Sequence, residues 1–343
     1  MTRRHTIARV GCVCLLGAAT ALLAATAQAQ TPIRLALDEA LEGPGPFFLL
    51  PQDRGFYRAE GLDVTVEEGA SGLEAINRVA TGGYELGFVD INALIRYRDQ
   101  NPTAPLKAVF MLYNKPPFAI VGRKSRGIAD PKSLEGRKLG APTAGATFDQ
   151  WPIFAKLNEV DAAKVGIEKI APAVRVPMLA AGELDATLGY SYRVYVDLKE
   201  RGVPVDDIVL LPMANYGLKL YGGTVIVNSK VAAEKPDTIA AFMRALVKGV
   251  RETIRNPIAA VGSVLKRDDL GRREVELERL RMLIRDNVVT PEVIADGLGA
   301  VDGARMTEAI NQIALTFAFR AKSKAAEVFD PAFLPSPADR KLD

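Results

Sequence analysis

The 343-residue chain is 48% hydrophobic and 25% charged, long enough for two domains of ordinary size. Its 44 Lys and Arg stand against 41 Asp and Glu, and no Lys/Arg run with interleaved aromatics occurs, so nothing in its charge suits a nucleic-acid partner. The single histidine, His5, and both cysteines, Cys12 and Cys14, lie in the first 14 residues.

That first segment has a basic start (Arg3, Arg4, Arg9), an apolar stretch over 10–25 and a small-residue site at Ala27-Gln28-Ala29. Those are the parts of a secretory signal, predicting a cleaved peptide over 1–29 and a periplasmic, soluble product. The apolar stretch is Ala- and Gly-rich and short for a bilayer, and neither cysteine stands in a lipoprotein attachment pattern. Cleavage removes three basic residues and no acids, leaving 41 of each. It also removes every thiol and imidazole. What remains cannot build a Ser-His-Asp or Cys-His nucleophile, a histidine proton shuttle or the usual zinc and iron sites. Carboxylate, lysine or tyrosine chemistry stays open without a supporting motif, and there is no GxxxxGK[ST], GxGxxG or DxDxDG. The reading is a non-enzyme with neither cofactor nor metal.

Short Val/Ile/Leu-rich runs then alternate with amphipathic stretches, which predicts an α/β fold of parallel strands joined by helices. Strands are expected at 33–37, 63–67, 86–89, 107–113, 119–122, 138–141, 167–170, 186–188, 208–211 and 224–228. From Pro236 the pattern turns helical, with helices at 237–255, 258–266, 273–287, 291–296 and 304–319.

Two strand ends run into helix starts suited to holding a ligand. In Gly69-Ala70-Ser71-Gly72-Leu73-Glu74, Ser71 and Glu74 have capping-box spacing, and Leu73, Ile76 and Val79 follow a helical period. In Ala141 to Gln150, Thr143 lies in a small-residue loop, and Thr147 with Gln150 repeats the capping spacing; Pro152 would instead move the helix start toward Trp151. Such turns line the ligand crevice of open α/β sheets. Asp38 and Asp90 end strands, where each caps a helix or accepts from a ligand amine. Phe47, Tyr113, Tyr190 and Tyr216 sit beside strand ends, where aromatic rings can cover a flat ligand, and Trp151 adjoins the second cap.

Asp53-Arg54-Gly55-Phe56-Tyr57-Arg58-Ala59-Glu60-Gly61-Leu62-Asp63-Val64 resembles the NMT1/THI5-like family of ABC-importer binding proteins for nitrate, sulfonates, taurine and thiamine-precursor pyrimidines. The match continues in Leu86-Gly87-Phe88-Val89-Asp90, in Asp130-Pro131-Lys132-Ser133-Leu134-Glu135-Gly136 and in Gly182 to Ala186. The resemblance implies a two-lobe periplasmic binding protein (type II) fold with two interlobe crossovers, near 117–121 and 216–223. One lobe would comprise 30–118 plus 222–343, the other 119–221. It implies a small-molecule ligand held between lobes, an ABC permease as membrane partner and a monomer. Asp38, Phe47, Ser71 and Asp90 would then face Thr143, Thr147, Trp151 and Tyr190. Ala214 to Gly222 is similar to the pyrimidine-precursor branch, although Glu39 follows Asp38 where many members have Trp. Synthases resembling that branch carry a cysteine-rich motif and a histidine that this chain lacks. The two carboxylates favour a neutral or amine-bearing heteroaromatic over a sulfonate or nitrate. The alternatives are a carboxylate-dependent periplasmic enzyme and a receptor serving a sensor kinase.

Overall fold

The computed structural model describes residues 30–142, 144–268 and 271–342; the signal at 1–29 and Thr143 fall outside them. All ten expected strands form, with each end within two residues of expectation. They are β1 (Thr31–Leu37), β2 (Leu62–Glu67), β3 (Leu86–Asp90), β4 (Leu106–Met111), β5 (Phe118–Arg123), β6 (Lys138–Ala141), β7 (Gly166–Lys169), β8 (Ala186–Tyr190), β9 (Ile208–Pro212) and β10 (Gly223–Asn228). One sheet runs β2-β1-β3-β10-β4, the other β7-β6-β8-β5-β9.

The all-parallel expectation fails at two strands. β1 is parallel to β2 and β3, and β6 to β7 and β8, but β10 is antiparallel to β3 and β4, and β5 to β8 and β9. The cause is the route of the chain. A helix that returns over its own sheet delivers a parallel strand. β5 and β10 are instead reached directly from the end of a strand in the other sheet, over 112–117 and 213–222, so they enter at the end where their neighbours finish. Residues 118–121, expected within the first crossing, already belong to β5. Two consequences position the site. The carboxyl ends of β1, β3, β4, β6, β8 and β9 face the gap between sheets, and so do the first residues of β5 and β10.

The helical tail spreads across both sheets. Helix Arg273–Leu283 packs on helix Ser191–Glu200 of the second, and helix Gly303–Ile313 on its helix Ala146–Leu157. The expected helix at 258–266 divides into Pro257–Ala260 and Gly262–Leu265. That expected at 304–319 stops at Ile313, because the following segment turns back: Phe317 and Phe319 stack edge to face at 4.9 Å, and the amides of Arg320 and Ala321 donate to buried Asp99.

The first sheet is covered by helices Pro46–Asp53 and Pro236–Arg255, the latter burying Ile239, Phe242, Leu246 and Val250. Where these helices meet, a Cβ on Gly249 would lie 2.0 Å from Pro51 Cγ. Gly249→Ala would gain about 1 kcal/mol of helix propensity yet force two backbones apart. A net loss of about 1–3 kcal/mol is expected in urea unfolding.

Candidate functional site

The strand ends of both sheets converge on one cavity. Asp38 and Glu39 follow β1, Phe88 and Asp90 end β3, Tyr113 and Pro117 lie in the first crossing and Gly223 opens β10; Phe118 and Tyr190 close it from the second sheet. Two cross-strand pairs meet there, Gly223 with Asp90 and Phe118 with Tyr190. Phe88 meets Tyr113 edge-on at 5.2 Å, and Phe118 lies against Tyr190 at 6.1 Å. Gly223 is required by close approach: a Cβ would stand 2.3 Å from Phe88 Cζ and 2.8 Å from Tyr113 Cδ2. The open space is about 10 Å³, room for about one water and far below the roughly 300–1,000 Å³ of organic-ligand pockets.

The wall is acidic. Asp90, 4% exposed, caps helix Ile91–Gln100 by accepting from the Ala93 amide at 3.2 Å, and Asn92 Nδ2 donates to its Oδ1 at 2.7 Å. Burial pushes its carboxyl up to about 7. Burial, with Glu39 and Asp90 nearby, also holds Asp38 well above the usual carboxylate range. Among the described residues no other side chain donates to Asp38. The Tyr113 hydroxyl, in a residue 3% exposed, has no hydrogen-bond partner there either.

Polar contacts join the lobes around this cavity. Tyr192 Oη donates to Glu39 at 3.1 Å, and Arg193 reaches Glu42 at 2.9 Å and Glu39 at 3.5 Å. Arg279 bridges Glu42 at 3.0 Å and Asp197 at 2.5 Å. Arg96, from the first lobe, donates to the Asp149 carbonyl and to Gln150 Oε1, both at 3.1 Å. The two crossings lie side by side, with the Tyr113 amide donating to the Gly223 carbonyl and the Gly222 amide to that of Tyr113, both at 2.9 Å, and Lys115 Nζ donating to Asn215.

Of the residues singled out in the sequence, Asp38, Asp90, Tyr113 and Tyr190 line this cavity. Ser71 is exposed and caps helix Gly72–Ala80 beside Asp38, its Oγ accepting from the Glu74 amide at 3.2 Å. A Cβ on Gly72 would lie 3.9 Å from that of Asp38. Ile76 and Val79 are buried as the helical period predicts, while Leu73 is 60% exposed. Thr147 is buried and does not cap: helix Ala146–Leu157 starts one residue earlier, behind Gly145 at φ 122°, and Gln150 is turned to Arg96. Trp151 is buried 6.2 Å from Phe154, which Tyr216 meets edge-on at 6.0 Å. Phe47 is fully buried in the first lobe's core. Glu39, Phe88, Pro117, Phe118 and Gly223 escaped sequence reasoning as cavity residues. Phe88 was within reach, since it shares the face of β3 with Asp90 at the two-residue period.

Among curated proteins, the chain is 25% identical over 210 residues to the riboflavin-binding protein of Chloroflexus aurantiacus, covering 60% of this chain and 57% of that one. It is 25% identical over 226 residues to the 4-amino-5-hydroxymethyl-2-methylpyrimidine phosphate synthase of Schizosaccharomyces pombe, 62% of each. It thus spans about three-fifths of the length of these two relatives. A formylaminopyrimidine-binding protein of Halalkalibacterium halodurans is 25% identical over 271 residues, 75% of this chain and 78% of that one. Among solved structures, the aliphatic sulphonate binding protein of Escherichia coli superposes with TM-score 0.66 at 12% identity, over 83% of this chain and 86% of that one. The alkanesulfonate-binding protein of Xanthomonas axonopodis gives 0.63 at 15% identity, over 88% and 98%. The fold is accordingly the two-lobe fold of periplasmic binding proteins. The family model described as NMT1/THI5 like matches residues 47–260, more than half of the sequence, and the chain belongs to that family.

Proposed function

We propose that this protein is the periplasmic solute-binding component of an ABC importer, capturing a planar heteroaromatic compound of pyrimidine-like type between its lobes and presenting the closed form to a membrane permease. The observation that carries the reading is the cavity itself. Strand ends of two sheets, between whose strands the described chain crosses at 112–117 and 213–222, converge on a space walled by aromatic rings and carboxylates, and opening it would be a hinge motion. Riboflavin and formylaminopyrimidine, named for two relatives, are both nitrogen heteroaromatics. Synthases also occur among the relatives, but beyond Cys14 this sequence has no thiol and no imidazole to offer. Binding without turnover is the reading those residues support. Among the described residues no helix is long and apolar enough to cross a membrane.

The test is a thermal-shift series with pyrimidines, flavins, aromatic acids, sulfonates and nitrate. A heteroaromatic ligand at a hundredfold excess over its Kd is expected to add about 2.7 kcal/mol to stability and to be recovered chemically unchanged by mass spectrometry. Conversion of the bound compound would establish the enzyme reading instead.

A further inference from the structure

The charge of the wall narrows the ligand class, on the premise that the cavity is the solute site just proposed. Three carboxylates, Asp38, Glu39 and Asp90, line it, all from the first lobe. Two of them have protein partners. Glu39 receives Tyr192 and Arg193, and Asp90 receives Asn92 and the Ala93 amide. Arg193 is shared between Glu39 and Glu42, and Arg96 is drawn away to Asp149 and Gln150. That leaves Asp38 with no hydrogen-bonded or ion-paired cation, Arg193 acting on it only through space from its pairing with Glu39 and Glu42. A second observation is independent of the acids: the hydroxyl of Tyr113, a residue lining the same cavity, is buried and unpartnered. Buried polar groups are normally satisfied, and an orphan on a cavity wall asks for a partner from inside it.

We propose that the site selects an organic cation: a flat amidine or protonated amino-heterocycle whose N–H edge binds Asp38 and the Tyr113 oxygen, with its faces against the Phe88/Tyr113 and Phe118/Tyr190 rings. Acceptors outnumber donors on the wall, so a ligand rich in N–H satisfies it where a sulfonate, all acceptor, would face carboxylates. A positive ligand also supplies the missing counter-charge as the lobes close, and the aromatic rings favour a planar cation over a neutral isostere.

The decisive experiment is isothermal titration with compounds of one shape and three charges: arylamidine, aryl carboxamide and aryl sulfonate, each built on benzene and on pyrimidine. The cation is expected to bind at least roughly tenfold more tightly than the amide, and the sulfonate not at all. Asp38→Asn should weaken the cation roughly 10–100-fold, the range for losing a hydrogen bond to a charged group, while leaving the amide within about threefold. Comparing the two compounds on one folded variant separates this from a general loss of structure. An amide or sulfonate that binds as tightly as the amidine overturns the charge assignment and leaves solute binding intact. A binding preference for the cation that survives Asp38→Asn likewise removes Asp38 from the role. Silence toward every compound of all three charges overturns both readings.

Discussion

Arg305→Ala is expected to lower the unfolding free energy by about 3–5 kcal/mol and the Tm by roughly 5 °C or more, although Arg305 lies outside the cavity between the sheets. Its guanidinium spends all five N–H groups. Nε donates to the Lys219 carbonyl at 3.1 Å, Nη1 to Asn114 Oδ1 at 3.0 Å and Glu292 at 2.8 Å, and Nη2 to the carbonyls of Asn114 at 2.7 Å and Leu220 at 2.9 Å. It also lies 3.9 Å over the Tyr221 ring, whose hydroxyl donates to Glu292 at 2.5 Å. Asn114 belongs to the first crossing, Lys219 to Tyr221 to the second, and Glu292 and Arg305 to the helical tail. One side chain thus fastens both hinge strands to a third element. Truncation leaves the backbone carbonyls of Lys219, Asn114 and Leu220 without this donor and strips Glu292 of its counter-charge, although Glu292 keeps the Tyr221 hydroxyl and Asn114 Nδ2, and the cost follows from those losses together. Arg305→Lys should recover less than half of the loss, since an ammonium has three donors and no planar fork. Chemical denaturation of the three proteins at neutral pH checks this, and a loss under 1 kcal/mol would mean that water replaces the guanidinium freely.

The sequence foretold the strands better than the site, for physical reasons visible at particular residues. Ten strand positions were legible because each is a short Val/Ile/Leu run bounded by turn residues, a local signal. The direction of β5 and β10 was not local: nothing within Phe118–Arg123 or Gly223–Asn228 says from which sheet the chain arrives. Asp38 and Asp90 could be placed at strand ends, and Tyr113 and Tyr190 near them, because the carboxyl edge of an α/β sheet is a fixed place in the topology. Phe47 and Tyr216 occupy equally suggestive positions in sequence, yet Phe47 is buried in the core of the first sheet's helices and Tyr216 packs edge-on against Phe154. Thr147 has correct capping spacing, but Gly145 starts the helix first and Arg96, 54 residues away, takes Gln150. Arg305 was invisible for the same reason: its partners lie 13 to 191 residues off.

Asp90→Asn is expected to stabilise the unliganded protein, increasingly so as pH rises. The carboxyl titrates near 7 in the folded protein and near 3.9 in the unfolded chain. Between those values the folded state holds a proton that the unfolded state has released. The native protein therefore loses stability as pH rises from about 4 to about 7, by about 2–4 kcal/mol from this group. Asp38, raised by the same burial and by Asp90 itself, acts in the same direction, while Arg96 offsets part of the effect. Asparagine keeps the cap, because its Oδ1 can accept from the Ala93 amide as Asp90 does now, at the cost of the bond that Asn92 Nδ2 donates to the other oxygen. It carries no charge to bury. The stability difference between variant and parent should be small near pH 4, grow across the window and level off near pH 8, as read from urea midpoints at each pH. A difference that stays flat would mean that Asp90 is solvated in the folded protein. The same experiment bears on ligand charge. A bound cation removes the cost of ionising the pair, so saturating the parent with an arylamidine should flatten its pH dependence toward that of the variant.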